Sequence, residues 1–243
     1  MSGRHDEGQP CPRSPMIVDA VIPALDEAKS IGGVLDGIAG RGLRRVVVAD
    51  NGSTDGTADV ARAHGAEVVT ERARGYGSAC LAALAYISQD PPDAVLFLDG
   101  DGADDPADLA ALLAPIEAGE ADLVIGSRVL GEAEPGALTP VQVFGNVLSS
   151  TLVRLIFGVK FTDLGPYRVI TWAGLSRLEM ADRDFGWTVE MQAKAAKRSL
   201  RCAEVPVAYR RRQAGKSKVS GNLVGSVKAG VKILYTIGRE ALR

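Results

Sequence analysis

Five short apolar runs, separated by segments of helical character, fill the chain from Met16 to about Arg128. The runs are Met16–Ile22, Arg45–Ala49, Glu67–Thr70, Ala94–Leu98 and Asp122–Gly126, and between them lie Glu27–Ala39, Thr57–His64, Tyr76–Ser88 and Pro106–Ala118. Such alternation leaves little choice of architecture. It predicts an α/β fold, a doubly wound and mostly parallel sheet with flanking helices. Pro106 and Asp108 suit the first turn of a helix, where a missing N–H costs nothing and an acid complements the dipole. Open sheets of this kind bind ligands at the carboxyl ends of their strands, so the residues after each run carry the functional argument.

The fourth run ends in Asp99-Gly100-Asp101. Two carboxylates one residue apart at a strand end suit Mg²⁺ or Mn²⁺, hard cations that share carboxylate and phosphate oxygens. A solvated acidic turn has the same composition, and Asp104 and Asp105 follow directly. The first run leads into Pro23-Ala24-Leu25-Asp26-Glu27, and the second into Asp50-Asn51-Gly52-Ser53-Thr54-Asp55-Gly56-Thr57. An acid there can accept a base N–H or bind a ribose hydroxyl; Ser53, Thr54 and Asp55 equally describe a tight turn with a helix cap. Arg74-Gly75-Tyr76-Gly77-Ser78-Ala79 opens a helix, its glycines permit close backbone approach, and a helix N-terminus favours an anion. No segment matches a Walker loop or a dinucleotide fingerprint.

Past Arg128 the pattern loosens. Gly131–Pro140 reads as a loop, after which Phe144, Val147, Leu148, Leu152, Leu155, Ile156 and Val159 recur at helical spacing beside a single charge, Arg154. That stripe fits a core helix or a helix lying on a membrane. A helix over Asp184–Ser199 and a strand over Cys202–Tyr209 follow. The last helix, Gly221–Glu240, sets Leu223, Val227, Val231, Leu234 and Ile237 on one side and Lys228, Lys232 and Arg239 on the other. A basic amphipathic helix is suited to an anionic interface, and docking onto the domain would use the same stripe. Its charges argue against spanning a bilayer, and no transmembrane helix is expected. The chain thus divides into a polar, disordered leader (1–15), an α/β domain (16–219) and the amphipathic helix (220–243).

Net charge is −2, yet thirteen basic residues from Lys194 onward face only Glu204 and Glu240. Such segregation predicts a basic surface for an anionic partner. Nucleic acid is discounted, because this segment has no interleaved aromatics beyond Tyr209 and Tyr235 and no DNA-binding motif. Cys11, Cys80 and Cys202 lie far apart and His5 and His64 have no zinc-like partners. With no secretory signal, a reducing, cytoplasmic compartment is expected.

Taken in order, Pro23…Asp26-Glu27, Asp50 to Thr57, Arg74-Gly75…Gly77 and Asp99-Gly100-Asp101 resemble glycosyltransferase family 2. Gly126-Ser127-Arg128 and Tyr209-x-x-Arg212-x-x-Gly215-x-Ser217-Lys218 narrow the resemblance to the branch of dolichyl-phosphate mannose synthase and bacterial polyprenyl-phosphate glycosyltransferases. It implies a GT-A fold and inverting, metal-dependent transfer of a hexose. The donor is a nucleoside-diphosphate sugar of the GDP-mannose or UDP-glucose type and the acceptor a polyprenyl phosphate, met peripherally at the inner face of the membrane.

By the same resemblance Pro23, Glu27 and Asp50 line the nucleoside pocket, with Arg74 and Gly75 beside the donor. Asp99 and Asp101 hold Mg²⁺ or Mn²⁺, with Gln192 completing the shell and Glu190 facing the same cleft. Arg212, Ser217 and Lys218 grip the donor phosphates, and Arg128 holds the acceptor phosphate. Asp163 orients the acceptor, serves as base for a hydroxyl acceptor, or merely caps a helix. The chain departs from the family where Asn51 replaces a second acid, in the acidic Gly102–Pro106 segment, and in ending where many relatives append transmembrane helices. A soluble glycosyltransferase with a hydroxyl acceptor is the nearest rival. A sugar-nucleotidyltransferase would need a Gly-rich basic loop that Ala24–Glu27 does not supply, and the intact Asp pair counts against a catalytically silent binding module. Nucleotide, sugar and oligomeric state stay open.

Overall fold

Alternation along two strands sets up both faces of the molecule. In β1 (Val18–Ala24), Ala20 and Ile22 enter one apolar core and Val21 the other; in β4 (Ala94–Phe97), Ala94 and Leu96 separate from Val95 and Phe97 in the same way. The computed structural model describes residues 15–214 and 223–242; residues 1–14 of the expected leader, and Ser217 and Lys218, lie outside these described residues. The remaining strands are β2 (Leu43–Asp50), β3 (Glu67–Thr70), β5 (Leu123–Ser127), β6 (Arg168–Thr171) and β7 (Cys202–Pro206), and the sheet order is β3-β2-β1-β4-β6-β5-β7. One core packs α1 (Ile31–Ile38), α2 (Thr57–Ala63) and α4 (Leu109–Glu117) on the sheet. The other carries α3 (Tyr76–Ile87), α5 (Pro140–Phe157), α6 (Trp172–Leu178), α7 (Trp187–Lys197) and α8 (Leu223–Leu242).

The expected doubly wound, mostly parallel sheet is present, with one strand that the apolar pattern did not announce. β6 runs antiparallel between β4 and β5. It is four residues long and begins with a charge, so no periodicity marks it. Arg168 is nonetheless buried, because its guanidinium donates to the carbonyls of Leu164, Gly165 and Thr188. Desolvation lowers its pKa to about 10. Pro106 and Asp108 lie in a first turn as expected, a 3₁₀ turn (Pro106–Asp108) that leads into α4, and Asp105 caps it, accepting from the Ala107 N–H. Asp108 instead accepts from the Ala208 N–H at 2.7 Å, tying the chain after β7 to this turn.

Both helices with apolar stripes turn apolar side chains outward, which for α5 sets aside the core-helix alternative. α5 buries Ser149, Ser150 and Val153 and leaves Phe144 (69 % exposed), Val147, Leu148, Leu155 and Ile156 outward, while Leu152 and Val159 pack inward. It is, among the described residues, the one helix long and apolar enough to cross a membrane. It nevertheless lies against the body: Asn146 bonds the Thr162 carbonyl and the Leu164 N–H. In α8, Val227, Val231 (62 % exposed) and Leu234 point outward, and of the expected stripe Ile237 is buried. Of the basic side, Lys228 stays exposed while Lys232 and Arg239 turn in, 3.0 Å from Asp182 and 2.8 Å from Glu190, both acids fully buried. An unpaired buried carboxylate costs several kcal/mol, which outweighs the gain from burying a few valines.

Other basic residues of the C-terminal segment are paired too: Lys194 with the buried Glu190 and, at the surface, Arg198 with Glu179, Arg201 with Asp122 and Arg210 with Asp105. Part of the expected basic surface is therefore spent on acids of the body.

Segment 182–183 crosses the start of α3, and this accounts for two glycines there. A Cβ on Gly77 would lie 2.0 Å from the Asp182 carbonyl oxygen, and one on Gly75 2.0 Å from that of Arg183. The Ser78 N–H and Oγ both donate to the Arg183 oxygen. The close backbone approach expected of this loop is thus made by the chain itself. Gly77→Ala should cost about 1–3 kcal/mol, the usual penalty for overpacking, read by scanning calorimetry as a Tm lower by roughly 4–8 °C at ~2 kcal/mol. A variant melting with the parent would show that this contact is not made.

Candidate active site

Two strand-end turns are stitched together to present Glu27. The Asp26 N–H donates to Ser53 Oγ (2.9 Å), the Glu27 N–H to Thr57 Oγ1 (2.8 Å) and the Ala28 N–H to Asp55 (3.0 Å), while Asp26 accepts from the Thr54 N–H. Ser53, Thr54 and Asp55 thus fix the neighbouring loop as well as their own. Asp50 closes β2, buried, with Oδ1 3.2 Å from the Ser53 N–H. Asn51 spends its amide on the loop beyond β3. It donates to the carbonyls of Glu71 and Ala73 and accepts from the Gly75 N–H. An aspartate there would have no hydrogens to donate, which gives a physical reason for Asn51 where the family commonly has an acid.

At the end of β4, Tyr76 donates its hydroxyl to Asp99 Oδ1 at 3.1 Å. Asp101 accepts from the Ala103 N–H at 2.9 Å and meets the Arg212 guanidinium at 3.0 Å. Asp104 is buried beside them and its Oδ1 has no hydrogen-bond partner. Burial and the neighbouring Asp101 push the Asp99 carboxyl upward, and burial with the charges of Asp99 and Asp101 does the same to Asp104. Asp99, Asp101 and Asp104, with Glu27 nearby, outnumber the two guanidinium groups, Arg212 and Arg128, that reach them, and Arg128 is already paired with Asp163. Hard oxygen donors with this surplus fit Mg²⁺ or Mn²⁺. No group of three or more His, Cys, Asp or Glu is placed to hold a metal among the described residues, so the pair would share the ion with diphosphate oxygens and water.

Arg212 reaches the site on a strap that follows β7. The strap is held by the Arg210 N–H on the Ala103 carbonyl (2.7 Å) and the Gln213 N–H on that of Asp101 (3.1 Å). Its guanidinium also meets Glu27 Oε1 at 2.6 Å. Across the site Arg128 lies over the Tyr209 ring, 5.0 Å from its centroid, and binds both oxygens of Asp163 at 2.6 and 2.7 Å. Burial acts against ionisation of Asp163, but Arg128 prevails and holds its carboxyl below the usual range. The Asp163 turn is pinned by Glu204, which accepts from the N–H groups of Thr162 and Asp163, and by Asn146.

A cavity of about 550 Å³ joins these parts. Of the expected residues Pro23, Glu27, Arg74, Gly75, Asp99, Asp101, Arg128 and Arg212 line it, and Ala229 and Ile233 of α8 close one side. Asp50 and Asp163 stand behind its wall, and Asp163, a partner of Arg128 in a pinned turn, caps no helix. Gln192 is corrected: it is fully buried and donates to the Asp163 carbonyl at 2.8 Å, away from the cavity wall, so it props the turn instead of completing a metal shell. Glu190 does not face the cleft either; Arg239 and Lys194 hold it under α8. Sequence reasoning missed Tyr76 and Tyr209 as wall residues, though both sat inside the motifs singled out; it read Asp104 only as part of an acidic turn and gave no hint of Phe185.

A carboxyl whose pKa is raised on folding makes the folded state bind the extra proton, so stability falls as pH rises from the unfolded value through the folded one. Asp99→Asn removes that cost while keeping an acceptor for Tyr76. At pH 7.5, without metal, the variant should melt about 2–4 °C above the parent, the shift of ~1 kcal/mol in a domain of this size. A lower Tm would contradict this electrostatic reading.

Residues 19–176 match the model of the glycosyl transferase family 2. The chain is 41 % identical over 214 residues to an uncharacterized glycosyltransferase of Mycobacterium tuberculosis, covering 87 % of this chain and 94 % of that one. It is 28 % identical over 230 residues to the undecaprenyl-phosphate mannosyltransferase of Micrococcus luteus, with 89 % and 93 % covered. Among solved structures, glucosyl-3-phosphoglycerate synthase from Mycobacterium tuberculosis, crystallised with Mn²⁺, UDP-glucose and phosphoglyceric acid, superposes with a TM-score of 0.73 at 23 % identity, over 93 % of this chain and 80 % of that one. That likeness is one of fold, and it agrees with the GT-A architecture. The matched region carries four of the strand ends that build the cavity, and on that ground the chain belongs to glycosyl transferase family 2, as a hexosyltransferase.

Proposed function

We propose that the protein moves a hexose, with inversion, from a nucleoside-diphosphate sugar to a polyprenyl phosphate at a membrane surface. The observation that carries this reading is the shared wall: the cavity holding Asp99, Asp101 and Arg128 is closed by α8, whose opposite side is apolar and exposed. α5 packs against α8 and extends that apolar surface with Phe144, Val147 and Leu148. A lipid-borne phosphate could enter the cavity without its chain crossing water. The relative named as an undecaprenyl-phosphate mannosyltransferase supports the acceptor class. The Mn²⁺ and UDP-glucose in the structural neighbour support a metal-assisted donor site.

In this reading Pro23 and Glu27 face the nucleoside, Asp50 steadies the turn behind them, and Arg74 with Gly75 borders the donor. Asp99 and Asp101 hold Mg²⁺ or Mn²⁺, which when bound neutralises charge on the departing nucleoside diphosphate. Arg212, followed in the chain by Ser217 and Lys218, supplies cations to the phosphates. A phosphate acceptor is already anionic, so no side chain has to take its proton, and positioning does the work. Arg128, with Nε and Nη2 held by Asp163, offers a fixed guanidinium to the acceptor phosphate. Asp163 acts as the positioning residue for Arg128. As a base for a hydroxyl acceptor it is poorly suited, because both its oxygens are committed.

With a radiolabelled donor and undecaprenyl phosphate, label should move to the organic phase, EDTA should abolish the transfer, and Asp101→Ala should lower it at least 100-fold with little change in Tm. Label that stays in the aqueous phase on a small acceptor would favour the soluble rival, and EDTA-resistant transfer would remove the metal. Phe144→Ser combined with Val231→Ser should reduce co-sedimentation with anionic vesicles at least five-fold while leaving Tm within a few degrees. Unchanged sedimentation would show that the α5–α8 face is not the lipid contact.

A further inference from the structure

The Arg212 guanidinium sits where a cation for the aspartate pair would have to compete. It bridges Asp101 at 3.0 Å and Glu27 at 2.6 Å, and the strap carrying it is itself bonded to the Asp101 carbonyl through Gln213. The Gln213 side chain fills the space above Gly102, a residue at φ +76°, so strap and Asp-Gly-Asp turn are packed on each other. We propose that Arg212 is an exchangeable counter-ion: it neutralises Asp101 and Glu27 in the resting enzyme and must leave Asp101 when a divalent cation binds. This rests on the donor reading above and deepens it by stating an order of binding.

The argument is one of charge. A guanidinium and a divalent cation on the same buried carboxylate repel each other. Removing Arg212 from Asp101 leaves a part-buried cation with only Glu27 as partner, at a cost that bound metal alone does not offset. A nucleoside diphosphate changes this. It adds negative charge between the two cations, and Arg212 presents a planar fork that suits phosphate oxygens. Metal and nucleotide should therefore bind with positive coupling, each raising the affinity of the other by the same factor, and Arg212 is the residue that makes metal binding conditional on nucleotide. A side chain that only bound phosphate would make the opposite prediction for metal alone: its loss would leave Mn²⁺ affinity unchanged.

The test is Mn²⁺ titration of the full chain, following the free-ion signal by electron paramagnetic resonance, alone and with saturating UDP or GDP. Metal–nucleotide complexes formed without protein are measured in parallel. In the parent, nucleotide should tighten Mn²⁺ binding at least ten-fold. In Arg212→Met, Mn²⁺ alone should bind at least five-fold more tightly than to the parent, with the nucleotide effect reduced to three-fold or less. Arg212→Lys keeps the charge without the fork and should fall between the two. If Mn²⁺ alone binds Arg212→Met no better than the parent while nucleotide still tightens binding to the parent, the counter-ion proposal is overturned and the donor reading stands. If neither nucleotide promotes Mn²⁺ binding to the parent, the donor reading falls, and this inference with it.

Discussion

Mutual repulsion among carboxylates at one edge of the sheet is the constraint around which this molecule is arranged. Asp99, Asp101 and Asp104 follow one strand within six residues, and Glu27 comes at them from another. Such a concentration of charge is unfavourable unless cations are brought to it. The chain brings them from far away in sequence: Arg128 from the end of β5 and Arg212 from the strap beyond β7. Folding of the second half is thus tied to neutralising the first. A residual excess of negative charge is what suits the site to a metal and a diphosphate.

The same logic governs the far side of the domain. Asp182 and Glu190 are fully buried, and α8 supplies Lys232 and Arg239 to them. Coulombic demand decides which way this helix faces, and its valines are left outside as a consequence. Segment 182–183 is also the one that touches the Gly75–Gly77 turn through its carbonyls. The apolar outer surface, the buried ion pairs and the donor side of the cavity are therefore successive layers of one packed body. Under the proposed reading, that order would put the lipid-facing helices and the donor site on opposite sides of a single wall.

Much of the architecture was legible beforehand because it depends on local pattern. The five apolar runs became strands and the four helices between them formed at almost the expected bounds. Eight of the expected site residues share one cavity, since strand ends in such a sheet converge whatever the details of the loops. Harder to read were elements whose burial rests on distant partners. β6 opens with Arg168, tolerable inside only because three carbonyls wrap it. Gln192 carries the right chemistry for a metal shell, yet the Asp163 turn claims it. Glycines 75 and 77 do permit close approach, but only the folded chain reveals that the visitor is the backbone of residues 182 and 183.

What the sequence determined unaided was the class of sheet and the place where its acids and strand-end residues would gather. These follow from hydrophobic periodicity and from the valence of residues adjacent in the chain. What tertiary structure alone decided was orientation and pairing: which face of α5 and α8 turns outward, that Asp163 is spent on Arg128, and that Arg212 stands guard on Asp101. Those outcomes depend on charges brought together across 35 residues or more, 111 for Arg212 and Asp101, or on the balance between burying an acid and exposing a valine. No local pattern encodes that balance.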